Sequence, residues 1–418
     1  MLKNIMNKAC KKVLYIHHGK GLGGAPLSLL YLIKALDTTK YHPVVLFLHY
    51  SDAFDLYKQQ GVEVYGPVNR LDFPHTKIWW FRWYHIPYFL RFLKDTFITY
   101  LWTADHWLTK LKPDIVHLNT SSLVAWGAIA KRKRIPVIWH IREPLAPGYL
   151  GLRRWFITRC IEKHATTIIP ISKHDAQPWV KNPKTIVIHN PVDPAIFDAT
   201  ISPEVFIKKY NLNSNAPTIL FLGGVSQEKG TLVILRVFQQ LLKKLPNAHL
   251  LVAGYWNLVP VGGKKGKRRW LNLLPAQRYK NSVAKALIPV QHAVTILGPI
   301  NTVPEAMAAS HVIVFPATIG HFARPIIEAG FMKKPVIASK LPPLDELVID
   351  GKTGYLVSPT GIQAWVEKLS LVLTNQKINV KLGIDAQNFC RGHFSLATYY
   401  KKVSTIYDRI TQTGKFYE

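Results

Sequence analysis

A chain of 418 residues is nearly three times a typical domain of ~150 residues, which favours two domains, with three as the alternative. At 48% hydrophobic and 19% charged residues it can bury large cores, which excludes a mainly disordered chain. Lysine and arginine number 54 against 24 acidic residues, a formal charge of +30 that calls for an anionic partner: nucleic acid, an acidic membrane surface or phosphorylated substrates.

Cys10, Cys160 and Cys390 are far apart, odd in number and without metal spacing, so neither a disulfide framework nor a zinc site is expected. The basic start, Met1 to Lys12, is followed by an apolar run too short for a signal peptide, ending at His17 and His18. The most apolar stretch, Ile78 to Phe92, is interrupted by Arg82, His85, Pro87 and Arg91 and does not read as a spanning helix. The expectation is a reduced, cytoplasmic protein that is not integral to a membrane.

In chain order, Val13 to Ile16 reads as a buried strand, Leu27 to Leu36 as a helix, and Val44 to Leu48 and Ile115 to Leu118 as strands. Val137 to Trp139, Thr167 to Ile171 and Ile186 to Ile188 follow. The pattern restarts with Thr218 to Leu222, Ala248 to Ala253, Val294 to Leu297, Val312 to Phe315 and Val336 to Ala338. Continuous Val/Ile/Leu runs separated by helices predict parallel strands covered on both faces. Asn190-Pro191-Val192-Asp193-Pro194 is a rigid turn between the halves, and Leu396 to Ile410 is a last helical pattern with no strand after it. The fold class is therefore α/β, two doubly wound Rossmann-like domains facing a cleft. The expected divisions are 1–195, 196–395 and a C-terminal helix, 396–418, able to return to the N-terminal domain. Residues 72–107, crowded with aromatics, and 255–275, with a basic run at 264–269, stand outside this scheme.

The chemistry-bearing motifs follow strands, where ligands of such sheets bind. His17-His18-Gly19-Lys20-Gly21-Leu22-Gly23-Gly24 precedes a helix whose free N–H groups suit an anion. Gly19, Gly21 and Gly24 formally satisfy a dinucleotide fingerprint, but the second strand ends in His49-Tyr50 rather than in the acidic residue that fingerprint needs; a purely structural turn is the other alternative. Trp139-His140-Ile141-Arg142-Glu143 gathers three polar groups at a strand's end, against the plain reading of His140 as a satisfied structural histidine. Gly223-Gly224-Val225-Ser226-Gln227-Glu228-Lys229-Gly230 places one lysine among glycines at a helix start, which suits a diphosphate but equally an ordinary turn. In Gly320-His321-Phe322-Ala323-Arg324-Pro325-Ile326-Ile327-Glu328, Glu328 lies among apolar neighbours. A buried carboxylate must accept hydrogen bonds, from sugar hydroxyls or from a structural salt bridge.

The ordered series resembles the retaining glycosyltransferases of family 4, with the GT-B fold. It comprises Gly23-Gly24-Ala25, Lys112-Pro113-Asp114-Ile115-Val116-His117, Pro170-Ile171-Ser172 and Ile188-His189-Asn190-Pro191-Val192-Asp193. It continues with Glu228-Lys229-Gly230, Leu297-Gly298, Arg324-Pro325-x-x-Glu328-Ala329, Lys334-Pro335-Val336 and Asp350-Gly351-x-x-Gly354. The resemblance covers nearly the whole chain and implies transfer of a sugar from a nucleotide-sugar donor to an acceptor hydroxyl. By it, His140, Lys229 and Glu328 are the catalytic set: Lys229 neutralises the diphosphate, Glu328 takes the ribose hydroxyls and His140 faces the reacting sugar. Gly23, Gly24, Arg142, Gly223, Gly224, Gly298, His321, Phe322, Ala323, Arg324 and Pro325 complete the donor site. Neither a metal nor a cofactor is implied. Two residues depart from the family: Gly224 stands where arginine is usual, and Gly320 where an acidic residue usually helps to hold the sugar. Arg324 or Arg142 is the expected compensation for the first.

The acceptor is expected to be a lipid-linked saccharide or a lipid, met at the inner face of an anionic membrane. Trp79, Trp80, Phe81, Arg82 and Trp83 are the expected contact, continued by a helix from Pro87 carrying Leu90, Leu93, Phe97 and Leu101 on one side. The alternative is that these aromatics pack the N-terminal core. Nucleic acid is not an expected partner, because no reading module is recognisable. The alternative functions are a sugar-nucleotide-binding protein without turnover and a dinucleotide-dependent oxidoreductase.

Overall fold

The computed structural model describes residues 10–18, 24–71, 86–258 and 275–413. They form two compact units, residues 1–191 with 396–418 and residues 192–395.

The first unit carries β1 (Lys11–His17), β2 (Tyr41–Phe47), β3 (Glu63–Tyr65), β4 (Ile115–Leu118), β5 (Val137–Ile141) and β6 (Thr167–Pro170). They pair in parallel in the order β3-β2-β1-β4-β5-β6. Its helices are α1 (Gly24–Ala35), α2 (Asp52–Gln59), α3 (Ile86–Ile98), α4 (Ala104–Leu111), α5 (Val124–Arg132), α6 (Leu152–His164) and α7 (Lys173–Ala176). The second unit carries β7 (Thr218–Phe221), β8 (His249–Ala253), β9 (Val294–Gly298), β10 (Val312–Phe315), β11 (Val336–Ser339) and β12 (Gly354–Val357), ordered β12-β11-β10-β7-β8-β9. Around it lie α8 (Glu204–Lys209), α9 (Thr231–Leu241), α10 (Pro275–Leu287), α11 (Val303–Ala308), α12 (Arg324–Phe331), α13 (Ile362–Thr374) and α14 (Gln376–Phe394). The last helix, α15 (Leu396–Thr413), belongs to the first unit.

Each sheet is buried on both faces, as its unbroken apolar runs require. Side chains alternate across the first sheet: Leu14 and Ile16 join a core with α5 and α6, while Val13 and Tyr15 join one with α1, α2 and α15. Tyr399, Val403, Ile406, Tyr407 and Ile410 bury α15 against that second face.

Two edge strands escape the reading by apolar runs. β3 is half-buried and polar, and β12 opens on Gly354. Ile186 to Ile188, expected as a strand, is not one. The Ile186 and Ile188 amides donate to the carbonyls of Ile168 and Pro170 at 2.9 and 3.0 Å, but Pro170 has no N–H to return, so the ladder stops. Trp79 to Trp83 and residues 264–269 lie outside the described residues.

Candidate functional site

In the second unit the polar residues gather where β7, β8, β9 and β10 end. The loops after the first three approach through glycines. The Gly224 amide donates to the Ala253 carbonyl at 2.9 Å, Val225 to Tyr255 at 2.8 Å, and Gly254 to Gly298 at 2.8 Å. Gly224 has φ +57°, and a Cβ there would stand 2.5 Å from the Tyr255 carbonyl oxygen. At Gly223 a Cβ would meet the Phe221 ring at 1.9 Å, whereas Gly298, at φ +68°, faces open space.

The turn from Ser226 to Gly230 is held from several sides. Thr231 Oγ1 donates to the Gly224 carbonyl at 2.6 Å, the Lys229 amide to Ser226 Oγ at 3.2 Å, and Tyr279 Oη to the Ser226 carbonyl at 3.0 Å. Gly230 (φ +82°) lets the turn pass the Pro316 backbone, whose oxygen would lie 1.7 Å from any Cβ. Thr318 stitches this turn to the loop after β10: its amide donates to the Glu228 carbonyl at 2.9 Å and its hydroxyl to Gln227 at 2.8 Å. The Lys229 ammonium is half-buried at the mouth of α9, and no described carboxylate pairs with it. Burial lowers its pKa, with Glu228 opposing. His321 sits on the stitched loop with its ring 5.4 Å from that of Phe315 and a hydrogen bond from Nδ1–H to the Ile319 carbonyl at 3.0 Å. Burial lowers its pKa, and the Lys229 charge acts in the same direction. Ala323 is the extended residue that starts α12, and Pro325 lies in the first turn of that helix. One turn apart on α12, Arg324 and Glu328 form a buried ion pair at 2.9 Å. Desolvation raises the Glu328 pKa, and Arg324 pulls it back.

In the first unit the polar layer lies on the α15 face of the sheet. Arg142 is buried with three neutral partners: Nε donates to Asn119 Oδ1 at 2.5 Å, Nη1 to Asn190 Oδ1 at 2.5 Å, and Nη2 to Tyr399 Oη at 3.4 Å. No described carboxylate pairs with this cation. His140 is 0% exposed; its Nδ1 meets His117 Nε2 at 3.1 Å, and His117 Nδ1 meets Tyr407 Oη at 2.7 Å. Burial, reinforced by Arg142, takes His117 down to about 3 and His140 well below the ordinary imidazole range, so both are neutral at pH 7. Glu143 accepts from Thr120 Oγ1 at 2.5 Å. Among the described residues no cluster of three His, Cys, Asp or Glu could hold a metal ion.

Two family models tile the chain: "Glycosyltransferase Family 4" matches residues 22–196, and "Glycosyl transferases group 1" matches residues 203–389. The chain belongs to the group 1 glycosyltransferases. Among its relatives, the sulfoquinovosyl transferase SQD2 of Arabidopsis thaliana is 23% identical over 296 residues, 66% of this chain and 53% of that one. The D-inositol 3-phosphate glycosyltransferase of Corynebacterium efficiens is 25% identical over 201 residues, 47% of this chain and 44% of that protein. The match thus spans about half the length of these relatives. Two solved structures share the fold over nearly the whole chain. Anabaena HepE in complex with UDP has a TM-score of 0.73 at 19% identity, covering 95% of this chain and 100% of that one. A glycosyltransferase of Rickettsia africae has 0.75 at 18%, covering 97% and 100%. Two Rossmann-like domains of the GT-B type are therefore the fold of this glycosyltransferase.

Within the units, the structure brings Gly223, Gly224, Lys229, Gly298, His321, Phe322, Ala323, Arg324, Pro325 and Glu328 together at the strand ends of the second, and His140 and Arg142 on the first. Gly24 opens α1; Gly23 lies outside the described residues. Both readings of Glu328 meet in one place, because a carboxylate paired on one side with Arg324 can still accept hydroxyls on the other. On the ribose reading, Glu328→Gln raises the donor KM about tenfold and changes kcat less than threefold, since a contact made equally in ground and transition states is uniform binding. Steady-state kinetics with varied donor decide, and a loss confined to kcat moves Glu328 to the reacting sugar.

Sequence reasoning singled out neither Asn119 and Tyr399 nor the role of His117 and Tyr407, and took His17 only as the start of the glycine motif. The signal was available only in part: alternation places residues 15 and 17 on one face of β1, but nothing in the sequence brings α15 to it.

Proposed function

We propose that this glycosyltransferase is a retaining, metal-independent hexosyltransferase whose donor is a nucleotide sugar and whose acceptor is a lipid-linked saccharide or a lipid. The observation that carries it is the half-buried Lys229 ammonium, to which no described carboxylate is paired, on a braced glycine turn at a helix mouth, with the buried Arg324–Glu328 pair on the helix that follows the stitched loop. Breaking the sugar–phosphate bond puts positive charge on the ring and negative charge on the departing diphosphate. A cation fixed in advance stabilises the latter without reorganising, and a partly desolvated one does so most strongly. The acceptor hydroxyl attacks the anomeric carbon from the leaving group's own face: its oxygen forms the new bond, the C1–phosphate bond breaks, and the proton passes to the leaving phosphate. The complexes of Anabaena HepE with UDP and UDP-glucose support the choice of donor class. Incubation with a panel of sugar nucleotides tests the reading: slow hydrolysis of one of them is expected, and no binding of any overturns it.

The membrane part of the proposal rests on the first unit. Along α3 and the turn that follows it, Leu90, Leu93, Phe97, Leu101 and Trp102 are exposed rather than packed in the core, with Arg91 and Lys94 exposed among them. No described helix is long and apolar enough to cross a membrane. Apolar side chains with interspersed cations, on a chain of charge +30, suit the headgroup boundary of an anionic bilayer at the inner face. Sedimentation with vesicles rich in anionic lipid is expected at low salt, to weaken as salt rises, and to fall about 10²-fold in Phe97→Ser/Leu101→Ser, at ~1.5 kcal/mol for each apolar side chain kept out of lipid. Binding unchanged by that double substitution removes α3 from the contact.

A further inference from the structure

A second apolar surface of the first unit stands open to solvent at the head of α6. Leu150 is 98% exposed, Leu152 61%, Trp155 60% and Phe156 41%. Large apolar side chains grouped in this way mark an interaction surface. Residues 152, 155 and 156 share the outer face of the helix, while Ile157 and Ile161 are buried on the inner one.

The hook that precedes the helix holds Leu150 outward. Gly148 and Gly151 have φ of +73° and +78°, and Leu150 between them has φ +48° and ψ +23°. Arg154 fixes the base of the hook: its amide donates to the Pro147 carbonyl at 3.2 Å, and its Nε and Nη2 donate to the Leu145 carbonyl at 3.2 and 3.0 Å. A leucine in left-handed geometry costs free energy, and a leucine side chain in water returns none. Strain of this kind persists where a function uses it.

Farther along the same face the helix turns basic. Arg159 and Lys163, both exposed, follow Phe156 by about 5 and 10 Å along the axis. In all, α6 carries the cations Arg153, Arg154, Arg159 and Lys163 against a single acid, Glu162, which lies 3.6 Å from Arg159. An apolar tip with a basic collar matches an anionic bilayer, where rings and aliphatic chains sink below the headgroups and cations stay level with the phosphates. A second copy of this surface would bring the same cations against one another.

The head of α6 lies in the same layer as the α3 stripe. A π-helical turn, Thr99–Thr103, joins α3 to α4 with helical geometry at Ile98 and Ala104 on either side of it. That turn and α4 pack on α5, and α5 packs on α6. α5 and α6 begin after the carboxyl ends of β4 and β5, and α4 runs down to the start of β4, so all three have their heads at the ligand-binding end of the sheet. Two helix spacings, about 20 Å, separate α4 from α6. We propose that Leu150, Leu152, Trp155 and Phe156 form a second insertion point into an anionic bilayer, with Arg159 and Lys163 on its headgroups, so that the membrane lies across the ligand-binding end of this layer. This rests on the membrane reading of α3 and adds what one helix leaves free: two points of contact stop the protein rolling about α3, and a lipid acceptor then meets the strand ends from the membrane side.

Sedimentation of the full chain with vesicles of phosphatidylcholine, with and without phosphatidylglycerol, tests the contact together with hydrogen exchange on the bound protein. Vesicles containing phosphatidylglycerol are expected to slow exchange at residues 150–160 as well as along α3. Leu152→Ser/Trp155→Ser is expected to weaken binding about 10²-fold, and Arg159→Gln/Lys163→Gln about 30-fold at low salt, both variants melting as wild type does. Leu150→Gly, which removes a strained side chain, is expected to bind about tenfold more weakly at a melting temperature no lower than wild type. A lower melting temperature in Leu150→Gly makes that leucine part of the packing and overturns its role in lipid. Unchanged binding by the double serine variant, with protection confined to α3, overturns the second contact and leaves the α3 reading standing. Wild-type protein that sediments with neither vesicle overturns both, and equal binding to phosphatidylcholine alone overturns the basic collar. A dimer seen without vesicles and dissolved by Leu152→Ser/Trp155→Ser gives the surface to a second copy and overturns the lipid contact.

Discussion

Lys229→Ala is expected to lower sugar transfer by about 10² to 10³ in kcat while leaving the unfolding temperature within about 2 °C of wild type. The rate loss is that of one fixed charge aimed at a developing oxyanion, ~3–4 kcal/mol of transition-state stabilisation. The stability expectation follows from what the ammonium lacks. No described carboxylate pairs with it and burial already disfavours its charged form, so its removal breaks no ion pair and relieves a desolvation cost. The turn itself is held by other groups: Gly230 against Pro316, Thr231 Oγ1 on Gly224, and Thr318 on Gln227 and Glu228. Lys229→Arg is expected to recover only part of the rate, because a planar fork does not occupy the volume of a point charge. Initial rates with a cleavable sugar nucleotide, beside a thermal melt, provide the check. Near-normal turnover in Lys229→Ala removes the lysine from the diphosphate site.

Putting the usual family residues back at Gly224 and Gly320 is expected to cost at least ~3 kcal/mol each and to add no activity. At Gly320 a Cβ would stand 1.8 Å from the Pro342 carbonyl oxygen, in the turn after β11, so an acidic side chain cannot enter without moving backbone. At Gly224 the obstacle is double. Its φ of +57° costs a side chain ~1–2 kcal/mol, and the Tyr255 backbone closes the space at 2.5 Å from its oxygen and 2.8 Å from its nitrogen. The two departures are thus built into the backbone of this chain. Melting temperatures about 6–12 °C below wild type are expected for Gly224→Arg and for Gly320→Asp. A Gly320→Asp protein that melts normally and transfers faster would show that the turn after β11 yields and that the acid belongs there. Arg142, expected in compensation, is a buried cation held among the described residues by Asn119, Asn190 and Tyr399.

The alternation of strands and helices, the positions of ten of the twelve strands and the glycine turns at their ends were legible in the sequence. Each depends on residues within a few positions of one another: an apolar run buries both faces of a strand, and a glycine permits a turn whatever lies beyond. The two missed strands, β3 and β12, are sheet edges, where one-sided pairing does not demand an apolar run. Lys229 and Glu328 were legible for the same local reason, a lone ammonium among glycines and a carboxylate among apolar residues. Pro170 shows the limit: its missing N–H ends a ladder that the Ile-Val-Ile run of residues 186–188 otherwise predicts, and that depends on which residue faces which. The tertiary structure alone decided the polar layer. Tyr15, His117 and Tyr407 are separated by as many as 392 residues, and their hydroxyls and rings meet only because α15 packs on the face of the sheet that alternation gives to Tyr15 and His117.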